Sequence, residues 1–283
     1  MSSAKFIISA DIGGTNSRFA LIDEKYNIVA SVSKRTILYK KDEFVASIVG
    51  AIREIGGNFS NVIALSLGIP GPIKDNGYVI DLANIHIKDI PLGDILRKEF
   101  SLPVFVRNDA EMACFAEAKL GSGKSYERVF FITISTGLGG ALVTKHGFDE
   151  TPFEIGHTPY IYKGENKYYE YFASGTGLTN LSKMYNLEVK SSQHFFDLVA
   201  NKNPIALTVY REWLFILGDF LNYIKNRHHP DIIAVTGGVF NSKHIFWSDL
   251  LKQHPDLNLQ ECYFDQNAGL IGSASYGFAM LTI

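Results

Sequence analysis

An acidic side chain, Asp11, lies between an apolar strand pattern and the glycine turn Gly13-Gly14-Thr15. A second apolar strand pattern follows at once, so the segment from Phe6 to Asp23 predicts a β-hairpin with a glycine-rich tip. Backbone N–H groups at such a tip can turn toward an anion, and a carboxylate beside a phosphate suits a bridging Mg²⁺. The hairpin is a candidate nucleotide–metal site, although a D-x-G-G turn alone is typical of an ordinary tight turn.

A second glycine turn, Thr136-Gly137-Leu138-Gly139-Gly140, again stands between two strand patterns. It could hold the far side of a polyphosphate, opposite the first turn, while a plain tight turn is the alternative. Strand, glycine turn and strand thus recur at the head of each half of the chain. This recurrence predicts an internal duplication of an α/β unit.

The pair Asn108-Asp109 stands where a strand pattern gives way to a helix pattern. Asn108 followed by Glu111 is typical of a capping box, which explains the pair without any chemistry. A carboxylate at the C-terminal end of a strand could also accept the proton of a substrate hydroxyl, as phosphoryl transfer requires.

The segment Glu154-Ile155-Gly156-His157 brings an acid and an imidazole together, and Glu170 follows it. Such side chains can bind sugar hydroxyls as matched donors and acceptors. The Glu-x-x-His element of di-iron proteins needs two copies in a helical bundle, and this α/β pattern contains one copy. A surface acid beside a satisfied histidine is the remaining alternative.

Two further glycine-containing segments lead to opposite conclusions. Thr236-Gly237-Gly238 ends a buried strand pattern, where a nucleoside base could approach the backbone or a helix could pack closely. Segment 118–125 resembles a loose P-loop, but a P-loop follows a strand and precedes a helix, and here the order is reversed. We therefore expect Gly121 to be the left-handed residue just past a helix end.

Strand and helix patterns alternate along the chain and must position these residues. The predicted strands are 6–11, 17–22, 28–34, one from 61, 79–82, 104–107, two flanking the second glycine turn within 127–147, and 232–238. The predicted helices are 41–55, 92–100, 109–120, 168–185, 192–201, 205–227 and one from near 268. The boundary between the halves is expected near residues 107–111.

The composition excludes several classes of protein. The chain has 283 residues, 46% of them hydrophobic, which suffices for two modest α/β domains. A net charge of −2 argues against a nucleic-acid partner, which needs a clustered basic excess. Two distant cysteines, Cys114 and Cys262, argue against a disulfide framework. Because neither a signal peptide nor a membrane-spanning run is evident, we expect a cytoplasmic protein with no membrane partner.

Taken together, the motifs resemble the ROK family of sugar kinases and repressors. They occur from end to end in the family's order: ADIGGTNSRFAL, GIPGPI, RNDAE, STGLGG, EIGH, VTGG and AGLIGSA. The opening ADIGGTN is also similar to the related bacterial glucokinases. The resemblance implies an actin-like ATPase (ribonuclease H-like) fold, with two α/β domains and an interdomain cleft. It also implies ATP and Mg²⁺ as cofactors and a hexose or amino sugar as phosphate acceptor.

Residue by residue, the resemblance implies a full active site. Asp109 would be the catalytic base toward the sugar 6-hydroxyl. The other sugar contacts would be Gly71, Asn84, Asn108, Glu154, His157 and Glu170. The nucleotide would lie against Gly13, Gly14, Thr15, Asn16, Thr136, Gly137, Gly237 and Gly238, with Asp11 facing the magnesium. We expect a smaller N-terminal domain, 1–108 with a C-terminal helix of about 268–283, and a larger domain, 109–267.

Two departures from the family pattern bear on the substrate. Family members carry a cysteine cluster between the EIGH histidine and the later glutamate, where this chain has TPYIYKGENKYYE. Three thiolates cannot be supplied there, so we expect no structural zinc, and packing of Lys163-Gly164 and the tyrosines in its place. Pro152-Phe153 stands where a small residue and glycine are common, and Phe153 could reshape the sugar pocket.

The function expected from the sequence is ATP-dependent phosphorylation of a hexose 6-hydroxyl, with glucose first. N-acetylmannosamine or another N-acetylhexosamine is the alternative acceptor. A sugar-sensing repressor would carry an N-terminal DNA-binding module, for which a strand beginning near Lys5 leaves no room. An actin-like filament or chaperone ATPase would explain the glycine turns but not Asn108-Asp109 together with EIGH and Glu170. For the assembly, the resemblance implies a homodimer.

Overall fold

The computed structural model describes residues 4–57, 60–74, 76–149 and 154–282, and the chain divides into two compact α/β units. The first unit comprises Met1–Gly121 and Gln266–Ile283, and the second comprises Ser122–Asp265. Within the described ranges, none of the helices is both long and apolar enough to cross a bilayer.

The strands and helices alternate much as the sequence predicts. The strands are β1 (Phe6–Ile12), β2 (Asn16–Asp23), β3 (Ile28–Arg35), β4 (Val62–Ile69), β5 (Ile73–Lys74), β6 (Tyr78–Leu82), β7 (Ile87–Ile90), β8 (Val104–Asn108), β9 (Arg128–Ile134), β10 (Leu138–Thr144), β11 (Gly147–Phe148), β12 (Pro159–Tyr162), β13 (Glu165–Tyr168), β14 (Ile232–Thr236) and β15 (Leu259–Glu261). The helices are α1 (Lys41–Gly56), α2 (Leu92–Phe100), α3 (Asp109–Lys119), α4 (Tyr169–Ala173), α5 (Gly175–Met184), α6 (Ser192–Ala200), α7 (Pro204–His228), α8 (Lys243–Gln253) and α9 (Ala268–Met280).

Each unit is built on a five-stranded sheet, and the two sheets have the same topology. The order is β3-β2-β1-β4-β8 in the first unit and β11-β10-β9-β14-β15 in the second. In both, an antiparallel three-stranded run continues into parallel strands. The internal duplication predicted from the glycine turns is therefore confirmed, and each turn lies at the carboxyl end of the first strand of its unit.

Helix α9 packs against β1 and α3 of the first unit through small residues. Ser9 Oγ of β1 donates to the carbonyl of Leu270 at 2.6 Å, and a Cβ on Gly272 would collide with the backbone of Met112 in α3. This close approach of α3 and α9 explains why the first unit extends to Gly121 rather than ending at residue 108.

The core of the second unit is organised by the long helix α7. Asn203 caps its first turn, accepting the N–H groups of Ile205 and Ala206 at 3.0 Å, and Pro204 occupies the first helical position. Its apolar face, with Trp213 and Phe220 fully buried, packs against α4, α5, α6 and α8.

Two of the predicted local structures are wrong. The helix predicted over 168–185 is two helices, because Ser174 interrupts it and caps α5 by accepting the N–H of Gly177 at 3.0 Å. Gly121 is not left-handed; its N–H donates to the carbonyls of Ala116 and Glu117, and a Cβ there would collide with the Glu117 carboxylate. The reversed helix-then-strand context of the P-loop-like segment is confirmed.

Candidate active site

In the first unit, the carboxyl ends of the parallel strands bring predicted site residues to one edge of the sheet. Asp11 of β1 lies opposite Gly68 of β4, which in turn lies opposite Arg107 of β8. Asn108 ends β8 and Asp109 begins α3 directly after it. Open α/β sheets bind their ligands at this edge.

Asp11 is held by an arginine that sequence reasoning did not single out. Arg18 lies opposite Asp11 in the β1–β2 pair, and its Nη2 donates to Asp11 Oδ2 at 2.5 Å and to the carbonyl of Gln266. A Cβ on Gly269, in the first turn of α9, would lie 2.6 Å from Asp11 Cγ. The carboxylate therefore has a cation and the positive end of a helix beside it.

The carboxylate of Asp11 fits a magnesium ion through one oxygen. Oδ1 accepts no hydrogen bond from the described residues, whereas Oδ2 is bonded to Arg18. Magnesium binds carboxylate oxygens and keeps most of its other positions for water and phosphate. Across the described ranges, no group of three or more His, Cys, Asp or Glu side chains could hold a metal ion by itself.

The first glycine turn is closed by its own backbone and by Thr36. The N–H of Gly13 donates to the carbonyl of Asn16 at 3.0 Å. Thr36 donates its N–H to the carbonyl of Thr15 at 2.9 Å and its Oγ1 hydroxyl to that of Gly13 at 2.7 Å. The side of the turn near Thr36 is thus fixed, while Thr15 and Asn16 are exposed.

Two loops of the first unit lie against the first glycine turn and Asn108. A Cβ on Gly14 would lie 3.5 Å from Asn84 Cβ, so the predicted sugar residue Asn84 packs on the predicted phosphate turn. Gly71 has φ 87°, and a Cβ there would collide with the carbonyl of Asp81. Its own carbonyl accepts a hydrogen bond from Asn108 Nδ2 at 3.3 Å.

Asn108 caps α3, and its amide group is engaged by the protein on both sides. Oδ1 accepts the N–H groups of Ala110 at 2.9 Å and Glu111 at 3.4 Å. Only half of the predicted capping box forms, because the Glu111 carboxylate instead accepts from Arg107 Nε at 2.8 Å. Asp109 Oδ1 also accepts the N–H of Ala110, at 2.8 Å, and lies at the helix start.

In the second unit, Glu170 lies against the second glycine turn. The N–H of Leu138 donates to Glu170 Oε2 at 2.8 Å, and a Cβ on Gly137 would collide with the same oxygen. Oε1 of Glu170 lies 3.3 Å from Nε2 of His157. The carbonyl of Thr136 accepts the N–H of the second residue of α5 at 3.2 Å. A predicted phosphate turn and two predicted sugar residues therefore lie together.

Glu154 completes this cluster from a left-handed backbone position. Its φ is 62°, immediately before the 3₁₀ helix Ile155–His157, and such conformations in non-glycine residues concentrate at functional sites. The side chain of Glu154 is exposed, but desolvation by neighbouring atoms raises its pKa; the charge of His157 opposes the rise and that of Glu170 adds to it. The charges of His157 and Glu170 therefore act on the carboxyl group of Glu154.

The two glycines after β14 have different surroundings. Gly237 has φ 115°, and a Cβ on it would collide with the backbone of Ile134 at the end of β9. Gly238 begins the 3₁₀ helix Gly238–Ser242, and no described atom beyond its chain neighbours lies within 4 Å of where its Cβ would be. The absence of a side chain at Gly237 allows close packing against Ile134. At Gly238 it leaves open space, which a flat base would need.

Strands β12 and β13 form an antiparallel hairpin that joins the two site residues His157 and Glu170. Its turn, Lys163-Gly164, has positive φ at both residues, 48° and 83°, as a type I′ turn requires. This hairpin, named here the tyrosine hairpin, occupies the segment for which the resemblance implies family cysteines. The sequence did not predict its strands.

Aromatic contacts hold the tyrosine hairpin, as expected from its composition. The ring of Tyr160 stacks on that of Tyr169 with 4.3 Å between centroids. The ring of Tyr168, where the last cysteine would align, lies 4.8 Å from the imidazole of His157. The absence of zinc stays a prediction, since these contacts concern the packing alone.

Arg18 and Tyr168 contact site residues and were not assigned to the site from the sequence. The contact of Arg18 could have been predicted from the sequence, because a hairpin closed by Gly13 and Asn16 places Arg18 opposite Asp11. No comparable signal existed for Tyr168, whose contact depends on the hairpin. The predicted effect of Pro152-Phe153 on the sugar pocket lies outside the described residues.

Known proteins resemble this chain over most of its length. A family model described as the ROK family matches residues 7–276. A glucokinase of Halalkalibacterium halodurans is 29% identical over 271 residues, covering 84% of this chain and 81% of the relative. The N-acetylgalactosamine kinase AgaK of Shewanella sp. is 24% identical over 247 residues, covering 81% and 80%.

Two solved structures establish the fold. A ROK hexokinase from Thermus thermophilus superposes with a TM-score of 0.85 at 23% identity, over 98% of this chain and 99% of that one. A ROK family glucokinase from Streptomyces griseus, in complex with glucose and AMPPNP, gives 0.77 at 23% identity, over 96% and 98%. The chain therefore has the actin-like ATPase fold that these structures share.

Proposed function

The chain belongs to the ROK family, and from this premise we propose that it transfers the γ-phosphate of ATP to the 6-hydroxyl of a hexose. The observation that carries the proposal is the position of Asp109, a carboxylate at the carboxyl edge of the sheet and at the start of α3. Relatives named as glucokinase and as N-acetylgalactosamine kinase support a sugar as the acceptor.

Asp109 is the general base in this proposal. It takes the proton of the sugar hydroxyl as that oxygen forms its bond to the γ-phosphorus. The bond between the γ-phosphorus and the bridging oxygen breaks, and ADP leaves. Asn108, which caps the same helix and also bonds the carbonyl of Gly71, keeps the start of α3 fixed while this happens.

The sugar is held by carboxylates and an imidazole in this proposal. Glu154, His157 and Glu170 form a coupled cluster in the second unit and supply acceptors and a donor for hydroxyl groups. Asn84 and Gly71, in the first unit, stay the further sugar contacts that the resemblance implies. Glu170 also accepts the N–H of Leu138, so that its orientation is fixed before a ligand arrives.

The nucleotide contacts are assigned to the glycine turns. In the first unit, Gly13, Gly14, Thr15 and Asn16 would present backbone to the phosphates, as would Thr136 and Gly137 in the second unit. At the turn Gly237-Gly238, the adenosine would lie in the open space beside Gly238. Asp11 would hold a magnesium ion through its carboxylate, and such an ion would neutralise charge on the phosphates. A solved relative's complex with AMPPNP supports ATP as the donor.

Glucose is the acceptor we propose first, because glucokinase relatives are similar over most of the chain. An N-acetylhexosamine is the second candidate, supported by the N-acetylgalactosamine kinase relative. The reaction draws on cellular ATP, so we also propose a cytoplasmic enzyme whose partners are its two small substrates.

The test is an ADP-release assay with ATP and Mg²⁺ over a panel of hexoses and N-acetylhexosamines. We expect turnover with at least one 6-hydroxyl sugar and none with its 6-deoxy analogue. Sugar binding in calorimetry without ADP release on any member would instead indicate a sugar-sensing regulator and would refute the proposed kinase.

A further inference from the structure

The tip of the tyrosine hairpin is tied to helix α7 by a charged contact. Lys163 Nζ donates to Glu212 Oε1 and to the hydroxyl of Tyr185, and this hydroxyl also donates to Glu212 Oε1. The Nζ atom also lies 4.9 Å from the centroid of the Tyr185 ring. These three residues, Lys163, Tyr185 and Glu212, are named here the clasp.

The base of the hairpin is tied to the same helix two turns further along. Tyr169, at the start of α4, donates its hydroxyl to Asp219 Oδ2 at 3.2 Å and packs on Phe220 with 5.0 Å between centroids. Trp213 Nε1 of α7 donates to the carbonyl of Ala173 at 3.0 Å. Helix α4, which carries Glu170, is thus fixed to α7 without the clasp.

The clasp provides the charged contact of the hairpin tip, next to Tyr162, whose ring lies 5.6 Å from that of Phe172. The hairpin has four residue pairs, and an isolated two-stranded hairpin is marginally stable in water. Its exposed strand β13 also gives little apolar area for packing. Glu212 is largely buried, with 19% of its side chain exposed, so it needs a cationic partner, and Lys163 provides it.

We propose that the clasp is a positioning element of the sugar site, holding the tyrosine hairpin without a metal ion so that His157 faces Glu170. The proposal rests on the proposed function for its reference to sugar. Thr158 alone separates His157 from the start of β12, and β13 leads directly into α4. A displaced hairpin therefore moves the imidazole relative to a carboxylate that α7 keeps in place.

The decisive variants are Lys163→Met, which keeps the apolar stem and removes the charge, and Glu212→Gln. Hydrogen exchange measured by mass spectrometry on the full chain should show amides of residues 157–168 exchanging about tenfold faster in both variants. Amides of α7 should be unchanged. Lys167→Met is the matched control, because Lys167 lies on β13 of the same hairpin, is exposed, and points its Nζ at the ring of Tyr171.

Kinetic measurements distinguish a role of the clasp in positioning His157 from a role in protein stability alone. In Lys163→Met we expect the KM for the sugar to rise about fivefold to tenfold, while the KM for ATP stays within about twofold of the parent value. A double variant should be no worse than the more damaged single variant, since both remove one contact.

Three outcomes would contradict the proposed role of the clasp. One is unchanged exchange in both variants; another is faster exchange with an unchanged KM for the sugar. The third is an unmodified protein in which a zinc chelator speeds hairpin exchange as much as Lys163→Met does, since a metal would then hold the hairpin. Because exchange needs no turnover, a chain that phosphorylates no sugar would defeat the proposed function and still leave the clasp to be judged.

Discussion

At the scale of single residues, Asp109 and Asn108 are neighbours with separate tasks. The amide of Asn108 caps α3 through Oδ1 and donates through Nδ2 to the carbonyl of Gly71. The carboxylate of Asp109 bonds the N–H of Ala110 through Oδ1. The cap therefore fixes the start of the helix from which Asp109 would act.

Asp109→Asn tests the proposed base. The amide keeps the shape and the helix-start hydrogen bond but cannot take a proton, so kcat should fall by about 10²–10⁴-fold at an unchanged Tm. Asp42→Asn, in the first turn of α1, is the matched control and should keep parental activity. Turnover near the parental value in Asp109→Asn would remove this residue from the mechanism.

Glu154→Gln should separate stability from sugar binding. The pKa of Glu154 is higher in the folded protein than in the unfolded chain, so protonated Glu154 stabilises the fold at low pH. This stabilisation is lost as the pH rises through the folded-state pKa. Glutamine is uncharged at every pH, so the Tm of the Glu154→Gln variant should be slightly higher than the parental Tm at pH 7–8. The two Tm values should become equal at acidic pH.

The same variant should raise the KM for the sugar more than that for ATP. Melting curves across the pH range and steady-state kinetics provide both measurements. A lower Tm for Glu154→Gln at neutral pH would contradict the assigned electrostatics, and a selective loss of ATP affinity would move Glu154 out of the sugar site.

At the scale of elements, α3 and α9 of the first unit pack in close contact. Gly272 leaves no room for a Cβ against the backbone of Met112. Gly272→Ala should therefore destabilise the protein by about 1–3 kcal/mol through overpacking. Gly50→Ala, in the exposed interior of α1 with nothing described within 4 Å, should stabilise it by about 0.5–1 kcal/mol. Chemical denaturation of both variants gives the comparison, and equal effects would contradict the packing argument.

The turn after β14 offers a similar contrast. Gly238→Ala should leave the Tm unchanged, because nothing among the described atoms opposes the methyl group, while raising the KM for ATP severalfold. Gly237→Ala should lower the Tm, since its positive φ and its contact with Ile134 both exclude a side chain. An unaltered KM for ATP in a folded Gly238→Ala protein would argue against adenosine at this turn.

Regular elements could be predicted from the sequence because their signals are local. The helix predicted over 205–227 is Pro204–His228, and the first strand is Phe6–Ile12, each within a residue or two of expectation. Apolar periodicity and a cap or a glycine turn define such elements without reference to the rest of the chain.

Other features depended on contacts between distant segments. The tyrosine hairpin has no apolar alternation, and its stability comes from Tyr169 and from α7. Arg18 bonds the carbonyl of Gln266, which nothing in the sequence near Arg18 indicates. The left-handed conformation predicted for Gly121 was wrong. A glycine is required there because the Glu117 carboxylate lies close to it, and local turn patterns in the sequence do not indicate such a side-chain contact.

At the scale of the whole molecule, the tyrosine hairpin of the second unit contains no cysteine, and it is held by aromatic contacts and by the clasp. Metal analysis of purified protein should therefore find no stoichiometric zinc, and a chelator should leave the Tm unchanged. One tightly bound zinc per chain would contradict this expectation.

The first unit is made of two stretches of chain that flank the whole of the second. During synthesis, residues 1–121 emerge long before α9, the helix that covers β1 and α3. This face of the N-terminal sheet stays uncovered until Ser122–Asp265 has been translated, whereas the second unit is one continuous stretch of chain and is complete before α9 emerges. Although it is translated first, the first unit would be completed after its neighbour, and its exposed β1 surface is where a nascent chain would need protection from aggregation.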